Sequence, residues 1–190
     1  MKHLLLALTF LAGPAVAQTA PASNPAASDP AAAVNAFYAV YAPQRAQGGG
    51  IPDATERLRF QPVLSPRLNK QLADAARAQV RLTAKVKNAV PPMLEGDIFS
   101  SLFEGATAWK VGACQQNAKA ARCTVALSYT PPPPAPGRKP EKPANWTDTV
   151  MLAMTPQGWK VDDVLYDAGF AFGNTGRLST MLDMVIASNP

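Results

Sequence analysis

The spacing of apolar residues changes once along this chain of 190 residues, and that change limits the folds it can adopt. Up to about residue 90 the apolar residues recur every three or four positions, as they do on one face of an α-helix. From residue 107 onward they mostly alternate with polar residues, as they do in half-buried β-strands. Helical segments followed by strands predict an α+β fold, because an α/β fold would alternate the two kinds of element.

Two N-terminal helices are predicted. The first covers residues 30–47, because Asp29 and Pro30 fit the N-cap and first helical position and three glycines follow the segment. The second begins near Ser65 and ends before the proline pair at 91–92. Its apolar residues fall on one side and its basic residues on the other, so we expect an amphipathic helix with a basic outer face.

Four strands are predicted, over residues 107–115, 122–130, 146–155 and 159–166. Strands joined as hairpins form an antiparallel sheet, and the helices must cover one face of it because each has only one apolar stripe. Before the strands, the spacing of Ser101 and Glu104 fits a capping box on one short helical turn. After them, we expect a short final helix capped by Asn174 or Thr175.

The first 17 residues have the features of a cleaved secretory signal, with a short apolar run and an Ala-Val-Ala sequence before the expected cleavage between Ala17 and Gln18. That run is shorter than the roughly 20 residues that span a bilayer, and no later stretch predicts a transmembrane segment. We therefore expect a periplasmic or secreted protein. Residues 18–29 form a flexible Ala/Pro/Ser linker, and residues 30–188 form a single domain.

The two cysteines flank a predicted hairpin turn. An oxidising compartment and this spacing favour a disulfide between Cys114 and Cys123. Cys114 is out of phase with Trp109 and Val111, so the pairing requires a bulge, which Gly112 could supply. Two buried thiols are the alternative.

Several chemistries are absent from the sequence. The only histidine, His3, lies in the expected leader, which excludes histidine nucleophile systems, a histidine general base and the usual zinc ligand sets from the mature chain. No nucleotide-binding fingerprint occurs. The net charge of +5 is too small to indicate nucleic acid. No cofactor or metal is predicted.

Two aspartates are candidate catalytic residues. By strand alternation, Asp148 and Asp163 each share a face with apolar residues. A carboxylate in an apolar pocket has a raised pKa and can act as a general acid or base. The alternative is that both cap turns, pair with basic side chains or lie at strand ends in water.

A basic helix face is the candidate binding site. Arg77, Arg81 and Lys85 follow one another at i+4 spacing, where like charges repel. An anionic partner, such as a phospholipid headgroup, lipopolysaccharide or an acidic protein, would offset that repulsion. The alternative is a solvated face.

The segment between the second and third predicted strands is unusually rich in proline. Residues 131–145 contain 7 of the 19 prolines, and we expect an exposed polyproline II projection. It either presents a docking surface or is a tolerated insertion.

Four sequence strings resemble a known family. They are GDIFSSLFEG at 96–105, WTDTVML at 146–152, WKVDDVLY at 159–166 and GRLSTML at 176–182. In this order behind two helices, they resemble a bacterial exported family classed as domain of unknown function 3828, over roughly residues 34–186. The resemblance implies a cystatin-like α+β roll similar to nuclear transport factor 2, with helices packed into a curved antiparallel sheet that can enclose a pocket. It implies no activity and no catalytic residues.

The sequence thus favours an exported, non-enzymatic binding or interaction protein whose partner is an unidentified protein or small molecule. A small-molecule enzyme of the isomerase or dehydratase type, using pocket carboxylates, is one alternative. An inhibitor of another protein is the other.

Overall fold

The computed structural model describes residues 29–87 and 94–188. In these residues three helices precede a five-stranded antiparallel sheet, and a fourth helix follows the last strand. The helices are α1 (Pro30–Arg45), α2 (Ala54–Phe60), α3 (Pro66–Val86) and α4 (Leu178–Ser188). The strands are β1 (Ala108–Gln116), β2 (Ala120–Tyr129), β3 (Ala144–Thr155), β4 (Gly158–Tyr166) and β5 (Gly176–Arg177). The expected leader, nearly all of the expected linker and the proline pair after α3 lie outside the described residues. No helix within the described ranges is long and apolar enough to cross a membrane.

The caps of α1 and α3 confirm the predicted helix starts. The Asp29 side chain accepts a hydrogen bond from the Ala31 N–H at 2.9 Å, and the Ser65 hydroxyl accepts one from the Leu68 N–H at 3.0 Å. Each side chain thereby accepts a hydrogen bond from a backbone N–H of the first turn that has no partner within the helix.

Helix α2 was not predicted, because its seven residues are too few to establish a period. A reciprocal capping box fixes its first turn. Asp53 accepts from the Glu56 N–H at 2.8 Å, and Glu56 accepts from the Asp53 N–H at 2.8 Å.

The sheet confirms the predicted antiparallel order and adds one strand to it. The strands lie in the sequential order β1-β2-β3-β4-β5. The expectation of about four strands misses β5, whose two residues pair with Leu165 and Tyr166. Two residues show no alternation, so β5 leaves no signal in the sequence.

Both ends of β4 are covered on its outer side by short segments. Near its C-terminal end it pairs with β5. Near its start, Val161 forms a parallel bridge with Leu64, with hydrogen bonds from Ser65 N to Val161 O at 2.8 Å and from Val161 N to Val63 O at 3.0 Å. A covered edge does not offer its backbone groups to another strand.

One face of the sheet carries the core, as predicted. Along β2, buried residues alternate with largely exposed ones, and the buried set is Ala121, Cys123, Val125, Leu127 and Tyr129. Helix α1 packs against β1, β2 and β4, while α3 and α4 pack against β4.

Two bulges change the register of the sheet. The first lies in β1, where Val111 pairs with Val125 and Cys114 pairs with Cys123, which confirms the expected irregularity at Gly112. The two cysteines form a disulfide. The second bulge, in β4, was not predicted.

In the β4 bulge, Met151 pairs with Asp163 and Leu152 pairs with Val161, so Asp162 has no partner on β3. The bulge also shifts the alternation by one position. Val161 is buried before it, whereas Val164 and Tyr166 are buried after it.

The segment before β1 is irregular and contains no helical turn. The expected capping box between Ser101 and Glu104 is wrong, because the Ser101 hydroxyl donates to Asp148, 47 residues away. Phe99 is buried in an aromatic cluster, with ring centroids 5.5 Å from Phe37 and 5.0 Å from Phe60. This segment is therefore part of the core without being part of a helix or strand.

Removing the disulfide should lower the stability of the fold. It joins residues nine positions apart, and a loop of this length predicts a loss of about 2–3 kcal/mol in the free energy of unfolding for the Cys114→Ser/Cys123→Ser variant. Urea denaturation measures the loss. A reductant should destabilise the wild type and leave the double variant unchanged. Two free thiols in protein purified without a reductant would contradict the assignment.

Candidate functional site

Asp148 is fully buried and all its acceptor capacity is in use. Its Oδ2 accepts from the Ser101 N–H at 2.8 Å and the Trp146 indole N–H at 3.0 Å. Its Oδ1 accepts from the Ser101 hydroxyl and from the Asp167 N–H at 3.1 Å. The burial confirms the alternation predicted for β3. These four donors tie the segment before β1 to the end of β4.

Asp163 is also buried, and it caps helix α4. Its Oδ1 accepts from the Ser179 N–H at 2.9 Å and the Val164 N–H at 3.0 Å, and its Oδ2 accepts from the Ser179 hydroxyl at 2.6 Å. Arg177 lies 3.7 Å from Oδ2. The expected cap, Asn174 or Thr175, is not the one observed, since the Asn174 amide donates to the carbonyls of Asp97 and Ser100.

The neighbouring Asp162 serves helix α3 in the same way. It accepts hydrogen bonds from the hydroxyl of Ser65, which caps α3, and from Arg67, whose Nη2 lies 2.9 Å from Oδ2. Consecutive residues of the β4 bulge thus hold the N-terminal ends of two different helices, where the helix dipole favours a negative charge.

The structure does not bring the two predicted carboxylates together. No hydrogen bond joins Asp148 to Asp163, and both sets of acceptors face donors of the fold itself. Neither residue lines either of the two clefts described below. The arrangement suits two structural acceptors and leaves no oxygen directed at a substrate.

Replacing Asp148 should therefore destabilise the fold. An asparagine side chain at this position has only one acceptor oxygen for the four donors, so Asp148→Asn should lower the free energy of unfolding by roughly 1–3 kcal/mol. Thermal or urea denaturation gives the difference. The control is Glu95→Gln at an exposed position, which should stay within about 0.5 kcal/mol of wild type. Equal stability of Asp148→Asn and wild type would contradict the structural role.

A third buried carboxylate, Asp97, differs from the other two. It is 2% exposed, and its Oδ2 accepts from the Ser100 hydroxyl at 2.6 Å and the Tyr41 hydroxyl at 3.2 Å. Its Oδ1 is also buried and has no hydrogen-bond partner of good geometry among the described residues, while the Phe99 backbone N–H interacts with the carboxyl group and lowers its pKa. Burial raises the pKa of Asp97 to about 7, against the effect of the hydrogen bond from Ser100.

Sequence reasoning missed Asp97. The one available signal was a carboxylate between a glycine and the apolar pair Ile98-Phe99 in a segment with no clear period. Its environment comes from α1, more than 50 residues earlier, as the Tyr41 contact shows. A local pattern could not reveal that contact.

Tyr41, Arg45 and Asp97 converge around Gly105. A Cβ on Gly105 would lie 2.7 Å from the Tyr41 hydroxyl oxygen, 2.8 Å from Arg45 Cγ and 3.0 Å from Asp97 Cβ. Gly105 has a φ of +75°, so both its conformation and its neighbours favour glycine. We name the adjoining space, with a volume of about 520 Å³, the Asp97 cleft. Its lining includes Arg45, Asp97, Glu104 and Tyr129.

Asp97 should make the stability of the protein pH-dependent. An unfolded Asp has a pKa of about 3.9, so between about pH 4 and about pH 7 the native state holds a proton that the unfolded state releases. The free energy of unfolding therefore falls as the pH rises through this range, by about 1.4 kcal/mol for each unit of pKa difference.

Asp97→Asn keeps the residue neutral and should remove this dependence. Urea denaturation at about pH 5 and about pH 8 compares the two proteins. The exposed Glu95 provides the control, because Glu95→Gln should follow the wild type. The same pH profile for wild type and Asp97→Asn would show that Asp97 is ionised throughout.

The predicted basic face is divided by the structure. Arg77 and Arg81 line a groove between α2 and α3, and Arg57 of α2 lies across from them. Lys85 is exposed further along α3 and does not line the groove. We name this space, with a volume of about 490 Å³, the arginine groove.

One acidic residue partly balances the charge of α3. Asp74 forms ion pairs with Lys70, at 2.7 Å, and with Arg77. The hydrogen bond from Lys70 lowers the pKa of Asp74, with smaller effects from the charges of Lys70 and Arg77. Asp74 thus offsets part of the positive charge of Arg77, and the Arg77 side chain remains exposed at the groove.

The rest of the arginine groove is mostly apolar. Its other lining residues are Ile51, Pro52, Ala54, Ala76 and Val80, with the polar Gln79 and with Asp53, whose carboxylate caps α2. Val80, one of these lining residues, is 67% exposed, so the groove offers apolar surface beside its arginines.

Comparison of the chain with family models, with curated proteins and with solved structures gave no match. Within residues 29–87 and 94–188, no group of three or more His, Cys, Asp or Glu side chains could hold a metal ion. Any functional assignment therefore rests on the two clefts and their chemistry.

Proposed function

We propose that this protein is an exported, non-enzymatic binding protein that contacts anionic lipid headgroups at a membrane surface through the arginine groove. The observation that carries the proposal is the placement of Arg57, Arg77 and Arg81 around one apolar groove. Two different helices contribute these arginines, so the cluster is a product of the fold.

The chemistry of the groove suits a lipid surface. A guanidinium group binds phosphate through two parallel hydrogen bonds and loses little hydration in doing so. Val80, which lines the groove, offers an apolar side chain for the boundary between headgroups and acyl chains. Each basic residue near an anionic membrane contributes about 1 kcal/mol, so three arginines with this apolar contact are sufficient for reversible binding.

The buried carboxylates support a binding function over catalysis. The oxygens of Asp148 and Asp163 accept hydrogen bonds from donors of the fold itself, so neither of the two carboxylates that the enzyme alternative invoked is available as an acid or base. The inhibitor alternative has no feature in its favour apart from exposed surface, and it becomes an outcome of the test below.

We also infer the export route and the family. The Cys114–Cys123 disulfide supports folding in an oxidising compartment, which agrees with the predicted cleavage between Ala17 and Gln18. Helices packed on one face of an antiparallel sheet support the cystatin-like roll, similar to nuclear transport factor 2, that the resemblance to domain of unknown function 3828 implies.

Vesicle sedimentation tests the proposed lipid contact. The wild type should bind vesicles containing phosphatidylglycerol, and the Arg57→Gln/Arg77→Gln/Arg81→Gln variant should bind about a hundredfold more weakly. The charge-matched control replaces Lys110, Lys119 and Arg122 by Gln; these are exposed residues at the β1–β2 hairpin. It should bind nearly as the wild type, because screening limits charge effects to about 8 Å at physiological salt.

A second variant tests the apolar contribution. Val80→Gln leaves the charge unchanged and should also weaken vesicle binding. An equal loss in the charge-matched control would show that only net charge matters. Binding of polyglutamate without binding of vesicles would show that the groove recognises an acidic protein. Either result overturns the lipid proposal.

A further inference from the structure

The arginine groove has an apolar floor and a charged rim. Pro52 is buried, and Ile51 and Ala76 are half-buried, so these three side chains form the floor. Val80 is exposed, and the Arg77 side chain is 63% exposed, which places both at the rim. A contact with lipid headgroups requires only the rim. The floor is therefore apolar surface that such a contact does not use.

Arg57 is fixed beside this floor. Its Nη1 donates to the Pro52 carbonyl at 2.9 Å, which holds the half-buried side chain on the α2 side of the groove. A guanidinium group has five N–H donors, so this one hydrogen bond leaves donors for a ligand.

The groove carries a net positive charge. Three arginines line it, and Asp53 is the only carboxylate among its described lining residues. The Oδ1 of Asp53 accepts from the Glu56 N–H at 2.8 Å as the cap of α2. The occupant that complements the groove is therefore a molecule with both a negative charge and an apolar part.

The size of the groove fits part of one molecule. Its volume of about 490 Å³ lies within the range of about 300–1,000 Å³ that is usual for small-molecule sites. A flat bilayer surface does not reach the floor of such a groove. An acyl chain is the apolar part of a phospholipid, and it is narrow enough to enter.

We propose that the arginine groove takes up one acyl chain of a single anionic phospholipid, with the lipid phosphate held by the arginines at the rim. The phosphate accepts charge-assisted hydrogen bonds from the guanidinium groups, and the chain covers the floor. In the membrane-bound state the groove opens toward the bilayer, so the chain stays in apolar surroundings. This inference rests on the proposed lipid contact and adds the part of the lipid that the groove recognises.

A series of n-alkyl phosphates with two, four, six and eight carbons tests the proposal without a bilayer, because such short amphiphiles are monomers at millimolar concentration. A fully buried methylene raises affinity about fourfold, so a half-buried one in an open groove should raise it about twofold. Isothermal titration calorimetry should therefore show that the wild type binds octyl phosphate about sixtyfold more tightly than ethyl phosphate.

Filling the floor should remove this dependence on chain length. Ala76→Phe leaves the charge unchanged and occupies the space of the chain, so octyl phosphate should bind within about threefold of ethyl phosphate. The matched control is Ala84→Phe, at an exposed position of α3 that does not line the groove, and it should keep the wild-type ratio. The ratio in the wild type alone keeps the proposal testable if Ala76→Phe does not fold.

The charged rim is tested with a ligand that lacks the phosphate. 1-Octanol has the same chain as octyl phosphate, and the wild type should bind it at least about tenfold more weakly. The Arg57→Gln/Arg77→Gln/Arg81→Gln protein should bind the two ligands with similar affinity, because only the chain contributes to its binding.

Vesicle sedimentation with the same proteins separates this proposal from the proposed function. Binding of phosphatidylglycerol vesicles with equal affinity for octyl and ethyl phosphate would overturn the chain proposal and leave the headgroup contact in place. A ratio of about sixtyfold without vesicle binding would show that the groove takes a free amphiphile, which overturns a membrane lipid as the occupant. A wild-type ratio in Ala76→Phe would show that the chain binds elsewhere, which also overturns the proposal.

Discussion

The bulge in β4 connects the sheet to two of its covering helices. An extra residue in a strand turns consecutive side chains away from the regular alternation, and here the two side chains concerned are Asp162 and Asp163. Asp162 binds Ser65 and Arg67 at the start of α3, while Asp163 binds Ser179 at the start of α4. Both helices therefore begin at one point of one strand, and their packing against β4 follows from that common origin.

The three buried aspartates show how differently one residue type can be used in one core. Asp148 and Asp163 meet enough donors to offset the loss of water, so they hold segments together. Asp97 accepts hydrogen bonds of good geometry at only one oxygen, and burial shifts its pKa toward neutrality. A buried carboxyl group that is not fully satisfied is costly for the fold, and protonation lowers that cost.

The parts of this fold that sequence could predict are those encoded locally. Helices α1 and α3 and the four long strands follow from apolar spacing, and the Gly112 bulge follows from the phase conflict at Cys114. Helix α2 and strand β5 are too short to show a period. The bulge in β4 could not be predicted, because the alternation pattern does not show which of the adjacent Asp162 and Asp163 points away from the core.

The candidate sites depend on contacts that a local pattern does not contain. Ser101 fits a cap on its own spacing, yet it donates to Asp148 in β3. Arg77 and Arg81 share a face by periodicity, whereas Arg57 joins them only because α2 packs against α3. Asp97 accepts a hydrogen bond from Tyr41 on α1, and its burial in the core raises its pKa. Each of these contacts joins residues that are far apart in the sequence, so a local sequence pattern cannot predict it.

The two segments that cover the outer side of β4 come from opposite ends of the domain. Residues 63–65 precede the sheet, and β5 follows it. Helices α1 and α3 are synthesised first, but α1 packs against β1, β2 and β4, and α3 packs against β4 and α4, all of which are synthesised later. Contacts so distant in sequence form slowly, because the intervening chain must be closed into a loop first. The domain therefore cannot complete its core until nearly all of the chain has been made, so a truncation near the C-terminus removes contacts that the first helices need.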